Sequence, residues 1–383
     1  MNTHFSLPIN NAVPECVLLT GATGFLGGAV AAQMITAGHA AELRFLVRAA
    51  NPRQGLQRLH DNLQQHGVSD ENRLHLTEAQ VICGDFLDTG WLADKHDQLM
   101  EIDRVINCAA VASFSKNPSI WPVNVEGTFA FAEVMSRSQR LKRFVHVGTA
   151  MSCGPQRHSP VRESWEFPEV EQQLVDYTAS KAEIERRLRE QLPNLPLVVA
   201  RPSIVVGHST LGCRPSASIF WVFRMGFALE SFTCGMDEHI DVIPADYCAN
   251  ALIGLAFKPQ LKYDLYHISA GSQSACTYAE IDQAYALASN GAPVGERYRR
   301  VGAHDLKSLA SSFEERIGIA NPRLVLRALR LYGGFADLNY LFDNSRLLDE
   351  GISPPPRFTD YLGACVNSSK DVSIASQMQW DFK

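Results

Sequence analysis

The 383-residue sequence has no apolar run reaching the roughly 18 residues that a membrane-spanning helix requires. Residues 1–15 carry His4, Pro8, Asn10, Asn11, Pro14 and Glu15. They lack the charged start, apolar middle and small-residue cleavage site of a secretory leader. The nine cysteines are odd in number and scattered, with no C-x-x-C and no His/Cys group at metal-ligand spacing. This argues against a disulfide frame and a zinc site, and points to reduced thiols in the cytoplasm. Basic residues are not in excess. A formal charge of −6 argues against nucleic acid as a principal partner, because binding phosphates needs a basic surface. Internal repeats and low-complexity tracts are missing too.

What is present is ordinary for a soluble globular enzyme, with 46% hydrophobic and 20% charged residues, so the chain can build a large core. Its length exceeds one average domain and allows an attached smaller lobe. From residue 16 short apolar runs alternate with helical patterns. Val17–Thr20, Glu42–Val47, Ala79–Cys83, Arg104–Cys108, Arg143–Val147 and Pro196–Ala200 read as buried strands. Phe25–Ala37, Gly55–His66, Val123–Ser136 and Tyr177–Gln191 read as helices. Such alternation predicts an α/β fold with a parallel sheet covered on both faces. Beyond Arg201 the order is less regular. Ser216–Ser231 is apolar and aromatic, Tyr247–Ala256 and Leu265–Ile268 should return to the sheet layer as helix and strand, and 367–383 reads as a polar, loosely held tail. The expected organisation is an N-terminal extension over 1–15, a nucleotide-binding core over 16–212, a substrate lobe over 213–366 interleaved with returning core elements (241–271), and the tail.

Thr20-Gly21-Ala22-Thr23-Gly24-Phe25-Leu26-Gly27 follows the run Cys16–Leu19. A glycine-rich turn between strand and helix lets a pyrophosphate approach the main chain and places it on the free N–H groups and positive dipole of the helix N-terminus. The spacing G-x-x-G-x-x-G is one residue longer at the front than the common G-x-G-x-x-G. At the end of the second strand an acidic residue normally holds a ribose 2′-hydroxyl, whereas an arginine accommodates a 2′-phosphate. Here Leu46-Val47 is followed by Arg48, with no acid until Asp61, which points to NADPH, with Arg53 as a second contact. Asp85 and Phe86 are placed to meet the adenine edge. Ala109 and Ala110, after the fourth strand, are small enough for a cofactor to lie close to the sheet.

Tyr177 and Lys181, in Tyr177-Thr178-Ala179-Ser180-Lys181, share one helical face. A neighbouring ammonium should lower a phenol pKa, making the tyrosine a usable proton donor to an oxygen that gains charge as hydride arrives. Thr149, at the end of the Arg143–Val147 strand, is expected to fix that oxygen, with Ser152 as the alternative. Asn124 either supports the site or packs its helix. Arg323, Arg327 and Arg330 share a helix face that either meets substrate phosphates or is simply solvated. His146, His208 and His267 show no ligand spacing and read as structural.

From about Val17 to Gly271 the chain resembles an extended short-chain dehydrogenase/reductase. The matching elements are Thr20–Gly27, Gly84-Asp85, Asn107–Ala110, Asn124–Thr128, His146–Thr149, Tyr177–Lys181 and Arg201-Pro202-Ser203. It departs at Gly148, where a serine or threonine often stands. The resemblance implies a Rossmann-type doubly wound sheet with a smaller C-terminal substrate-binding lobe. It implies catalytic Thr149, Tyr177 and Lys181. The cofactor would be held by Gly21, Thr23, Gly24, Phe25, Leu26, Gly27, Arg48, Asp85, Phe86, Ala109, Ala110, Tyr177, Lys181 and Pro202. Phe45–Arg48, Arg201–Gly212, Asp241–Tyr247 and Phe342–Arg346 are similar to the thioester-reducing branch, which includes fatty acyl-CoA reductases and terminal reductase domains of peptide and polyketide synthases. That implies NADPH-dependent reduction of an acyl thioester, from acyl-CoA or an acyl carrier protein, to aldehyde or further to alcohol, without a metal. The alternatives are a ketone or aldehyde reductase, a nucleotide-sugar epimerase or dehydratase, and a non-catalytic NADP-binding sensor or scaffold. Monomer and homodimer both stay open.

Overall fold

The computed structural model describes residues 15–156, 159–302, 305–318 and 321–381. Most of the expected N-terminal extension and the last two residues of the chain lie outside these. Seven parallel strands form the central sheet: β1 (Val17–Thr20), β2 (Leu43–Val47), β3 (Val81–Cys83), β4 (Arg104–Asn107), β5 (Arg143–Val147), β6 (Leu197–Pro202) and β7 (Leu265–Ile268). Their spatial order is β7-β6-β5-β4-β1-β2-β3. The chain order reverses between β1 and β4, and ligands of doubly wound sheets bind outside the strand ends at such a switch point.

The strands read as continuous apolar runs because both faces are buried. Along β1, Val17 and Leu19 face one layer and Leu18 the other. The first layer is built by α1 (Phe25–Thr36), α2 (Pro52–Gln65) and a later helix, Ala245–Phe257. The other is built by α3 (Thr128–Met135) and α4 (Asp176–Gln191), with Phe131, Phe144, Ile184 and Leu188 fully buried. A wide π-helical turn, Pro122–Gly127, leads into α3.

The second lobe has its own aromatic core around α5 (Phe220–Leu229), α6 (Tyr278–Ser289), α7 (Pro322–Ala336) and α8 (Phe358–Ser369). Trp221, Phe220, Phe313 and Phe358 are fully enclosed there. The segment expected to be a loosely held tail is packed instead. Residue 367 still lies inside α8, and the helix Ile374–Asp381 buries Gln377 and Met378. Arg224 on α5 donates to the Val372 carbonyl and to Gln377 Oε1, at 2.8 and 2.7 Å. Polar composition concealed this because the segment is held mainly by the half-buried Arg224 guanidinium and two apolar anchors, Met378 and Ile374.

Asp241 ties the second lobe to the sheet edge. Its buried carboxylate accepts the backbone N–H groups of Ala270, Gly271 and Phe342, at 2.7, 3.2 and 3.1 Å.

Candidate functional site

The turn after β1 is fixed by contacts that leave no room for side chains. Gly21 has φ +71°, and a Cβ there would lie 2.8 Å from the Ala109 nitrogen, so only glycine fits. At Gly27 a Cβ would meet the Gly21 carbonyl oxygen at 2.3 Å. The Thr20 hydroxyl donates to Asn107 Oδ1 (2.6 Å) and accepts from Ala109 N–H (3.0 Å), locking the ends of β1 and β4 together. Asn62 on α2 donates to the carbonyls of Ala22 (2.8 Å) and Gly24 (3.0 Å). The loop carbonyls are thereby turned away from the mouth of α1. No acidic residue stands in the first turn of α1, so its N-terminus keeps its positive end free for an anion. These residues fit a dinucleotide pyrophosphate. Asn62 was invisible in the sequence, because only the folded loop shows which carbonyls need a donor.

Arg48 stands just past β2, on the wall of the same cavity. The expected second contact, Arg53, is not on that wall; Arg58 is, and its guanidinium donates to the Arg48 carbonyl. The difference follows from helix rotation. Leu59 and Leu63 turn inward from α2 and carry Arg58 beside the strand ends, whereas Arg53 lies in the exposed first turn. Asp85 and Phe86 also line the cavity. Gly127 lets Phe86 approach, since a Cβ at 127 would lie 2.1 Å from the Phe86 carbonyl oxygen.

Thr149, Tyr177 and Lys181 all line this cavity, as do Pro202 and the Cys108–Ala110 segment. Lys181 is buried, and its Nζ donates to the Val147 carbonyl at the end of β5 (2.7 Å). Burial pulls the Lys181 ammonium down to about 8, with Glu185 and Cys108 opposing part of that shift. The Tyr177 hydroxyl goes the other way. Burial, reinforced by the Glu185 charge, pushes it up to about 12. The expected lowering of Tyr177 by its lysine is not found: burial and the Glu185 charge both raise it, and the Lys181 ammonium is directed at the Val147 carbonyl.

Thr149 faces the cavity and caps the turn Ala150–Cys153, accepting Met151 N–H (3.3 Å). Ser152 is fully buried and donates to the Thr149 carbonyl (2.7 Å), so it props Thr149 and does not line the cavity. Asn124 holds both polar groups of the Val111 backbone and donates to Ser180 Oγ (3.0 Å), fastening the segment after β4 to α4. Behind Lys181, the enclosed Glu185 carboxylate pairs with Arg201 Nε (2.8 Å), and that guanidinium lies over Phe167.

The cavity has a volume of about 670 Å³ and runs from the glycine turn past Tyr177 into the second lobe. Val222, Phe223, Gly226, Phe232, Tyr298 and Phe335 belong to its far walls. Phe114 had given no signal in its polar loop, yet its ring lies against Tyr177 (5.7 Å), Tyr332 (5.5 Å) and Phe335 (4.9 Å). Arg323, Arg327 and Arg330 are exposed on α7, whose inner side presents Tyr332 and Phe335 to the cavity. No His/Cys/Asp/Glu group that could hold a metal occurs among the described residues, nor does any helix there that is long and apolar enough to cross a membrane. The nine cysteines are unpaired.

The NAD-binding family described as male sterility protein matches residues 19–252. The chain is similar to the aldehyde reductase lnaA of Aspergillus flavus, at 27% identity over 252 residues, covering 62% of this chain and 24% of that protein. It is similar to the fatty acyl-CoA reductase wat of Drosophila melanogaster at 24% identity, covering 63% of this chain and 54% of the relative. It thus spans about half or less of the length of these curated relatives. Among solved structures, the terminal R domain from the myxalamid PKS-NRPS biosynthetic pathway superposes with a TM-score of 0.75 at 21% identity, covering 94% of this chain and 92% of that one. With the strand order, the glycine turn and the Tyr177/Lys181 pair in one cavity, the chain belongs to the male sterility protein family and has the nicotinamide-cofactor fold of an extended short-chain dehydrogenase/reductase.

Proposed function

We propose that the protein reduces an acyl thioester, presented as acyl-CoA or on an acyl carrier protein, with NADPH. The product is the aldehyde, and a second round would give the alcohol. The observation that carries this reading is the continuity of the cavity. One cavity is lined by the glycine turn and Arg48, by Tyr177 and Lys181, and by aromatic side chains of the second lobe. A mostly apolar site with a few polar groups near the reacting atom suits an acyl group better than a nucleotide sugar. The relatives named as an aldehyde reductase and a fatty acyl-CoA reductase support it.

Bound NADPH supplies the hydride. The Thr149 hydroxyl and the Tyr177 phenol donate hydrogen bonds to the thioester oxygen as it gains charge, and Tyr177 gives up its proton to that oxygen. A phenol held near 12 stays protonated, and so ready to donate, throughout the neutral range. Lys181 holds the cofactor ribose and stabilises the phenolate left behind. The resulting hemithioacetal collapses, releasing thiol and aldehyde. Arg48 and Arg58 receive the 2′-phosphate.

The test is simultaneous measurement of NADPH oxidation and free thiol with a panel of acyl-CoA thioesters. One thiol per NADPH oxidised is expected where the aldehyde is the product, and one thiol per two NADPH where the alcohol is. NADPH loss without thiol would replace this reading with ketone reduction.

A further inference from the structure

Two glycines inside helices line the cavity, Gly27 and Gly226. A glycine inside a helix costs stability relative to alanine, so each should have a reason. Gly27 has one in the turn it packs against, where a Cβ would come within 2.3 Å of a backbone oxygen. Gly226 has none of that kind. Its backbone is helical, and the nearest atom to a Cβ there would be Phe232 Cβ at 3.8 Å, an ordinary contact. Neither packing nor backbone geometry requires glycine at 226. What a side chain would take up is cavity.

The position along α5 gives that space a meaning. Just before the helix, the Ser218 hydroxyl donates to the Val205 carbonyl (2.7 Å), shortly beyond the end of β6 and the Tyr177 region. Gly226 lies six residues beyond the first residue of α5, roughly 9 Å along it at helical rise. Val222 and Phe223, a turn earlier, face the same cavity. Beyond Gly226 the wall is mainly aromatic: the Phe227 ring lies 5.0 Å from Tyr285 in a tilted contact, and the Tyr298 hydroxyl donates to the Cys234 carbonyl at 2.8 Å.

We infer that Gly226 is a specificity-determining position, holding open the distal chamber for the tail of a long unbranched acyl chain. This rests on the thioester reading for the head of the substrate, whereas the tail chamber can be probed without any turnover.

The experiment uses the whole protein loaded with NADPH, with cis-parinaric acid as a fluorescent long-chain probe. Gly226→Leu should weaken probe binding by at least about tenfold, the range set by crowding an apolar pocket. Gly226→Ala should have an intermediate effect. NADPH affinity should match the parent and the melting temperature should be no lower, since a helical glycine is being replaced, which separates a filled chamber from a damaged fold. In the activity arm, Gly226→Leu should lower the palmitoyl-CoA to octanoyl-CoA rate ratio by a similar factor while octanoyl-CoA reduction persists. No probe binding by the parent, unchanged binding by both variants, or equal loss with the two thioesters would overturn the inference. Should the parent reduce neither thioester while the probe results hold, the thioester reading fails and the chamber stands.

Discussion

The Glu185 carboxylate occupies the space that a side chain at residue 148 would need: a Cβ on Gly148 would lie 2.0 Å from Glu185 Oε1. Glu185 is fully buried, sits one helical turn beyond Lys181 and is held by Arg201. It cannot step aside without leaving that guanidinium unpaired. The departure at Gly148 from the usual serine or threonine therefore has a steric cause. Gly148→Ala should destabilise the protein by about 1–3 kcal/mol, the usual cost of overpacking. Combined with the shorter Glu185→Asp, the loss should be less than the sum of the single changes. Urea titration of the four proteins checks this, and strict additivity would count against the steric account.

Arg48 and Arg58 both line the cavity and are the proposed contacts for a 2′-phosphate. NADPH should bind more tightly than NADH, and Arg48→Ala should remove most of the difference, about 1.5–3 kcal/mol for one charged hydrogen bond. Arg58→Ala should remove a smaller part, since its guanidinium is shared with the Arg48 carbonyl. Fluorescence titration of the two cofactors decides it, equal affinities in the parent being the refuting result.

Tyr177→Phe keeps the ring against Phe114 and deletes only the hydroxyl. Turnover should fall by roughly 10²-fold or more with NADPH binding nearly intact. Parent-like activity in this variant would remove Tyr177 from the chemistry.

The Lys181 ammonium is held at about 8 by burial, so its charge is lost as pH rises through that value. If this charge holds the cofactor, NADPH affinity should be highest below pH 8 and decline above it. Lys181→Met should bind more weakly at neutral pH and show little of the decline. Titrations across pH 7–10, with the fold monitored by circular dichroism, provide the check. An unaltered pH profile in the variant would assign the decline to another group.

The strands and the glycine turn were legible because their causes are local. A short apolar run can be buried on both faces, and Gly21 must take a positive φ wherever this turn forms. Tyr177 and Lys181 were legible for the same reason, four residues apart on one helix. Features that depend on how one element meets another were not. Arg58 in place of Arg53 required the rotation of α2, Asn62 required the loop carbonyls, and Gly148 required Glu185 and Arg201 from other elements. The tail was misread because a few buried anchors, Gln377 and Met378 among them, outweighed a polar majority.

Phe114 places one ring between Tyr177 on the sheet side and Tyr332 and Phe335 on the other lobe. It therefore covers one side of the Tyr177 ring and fills the contact with the second lobe at the same time. One side chain from the loop after β4 thus bridges the Tyr177 helix and the aromatic core of the second lobe, against which it packs.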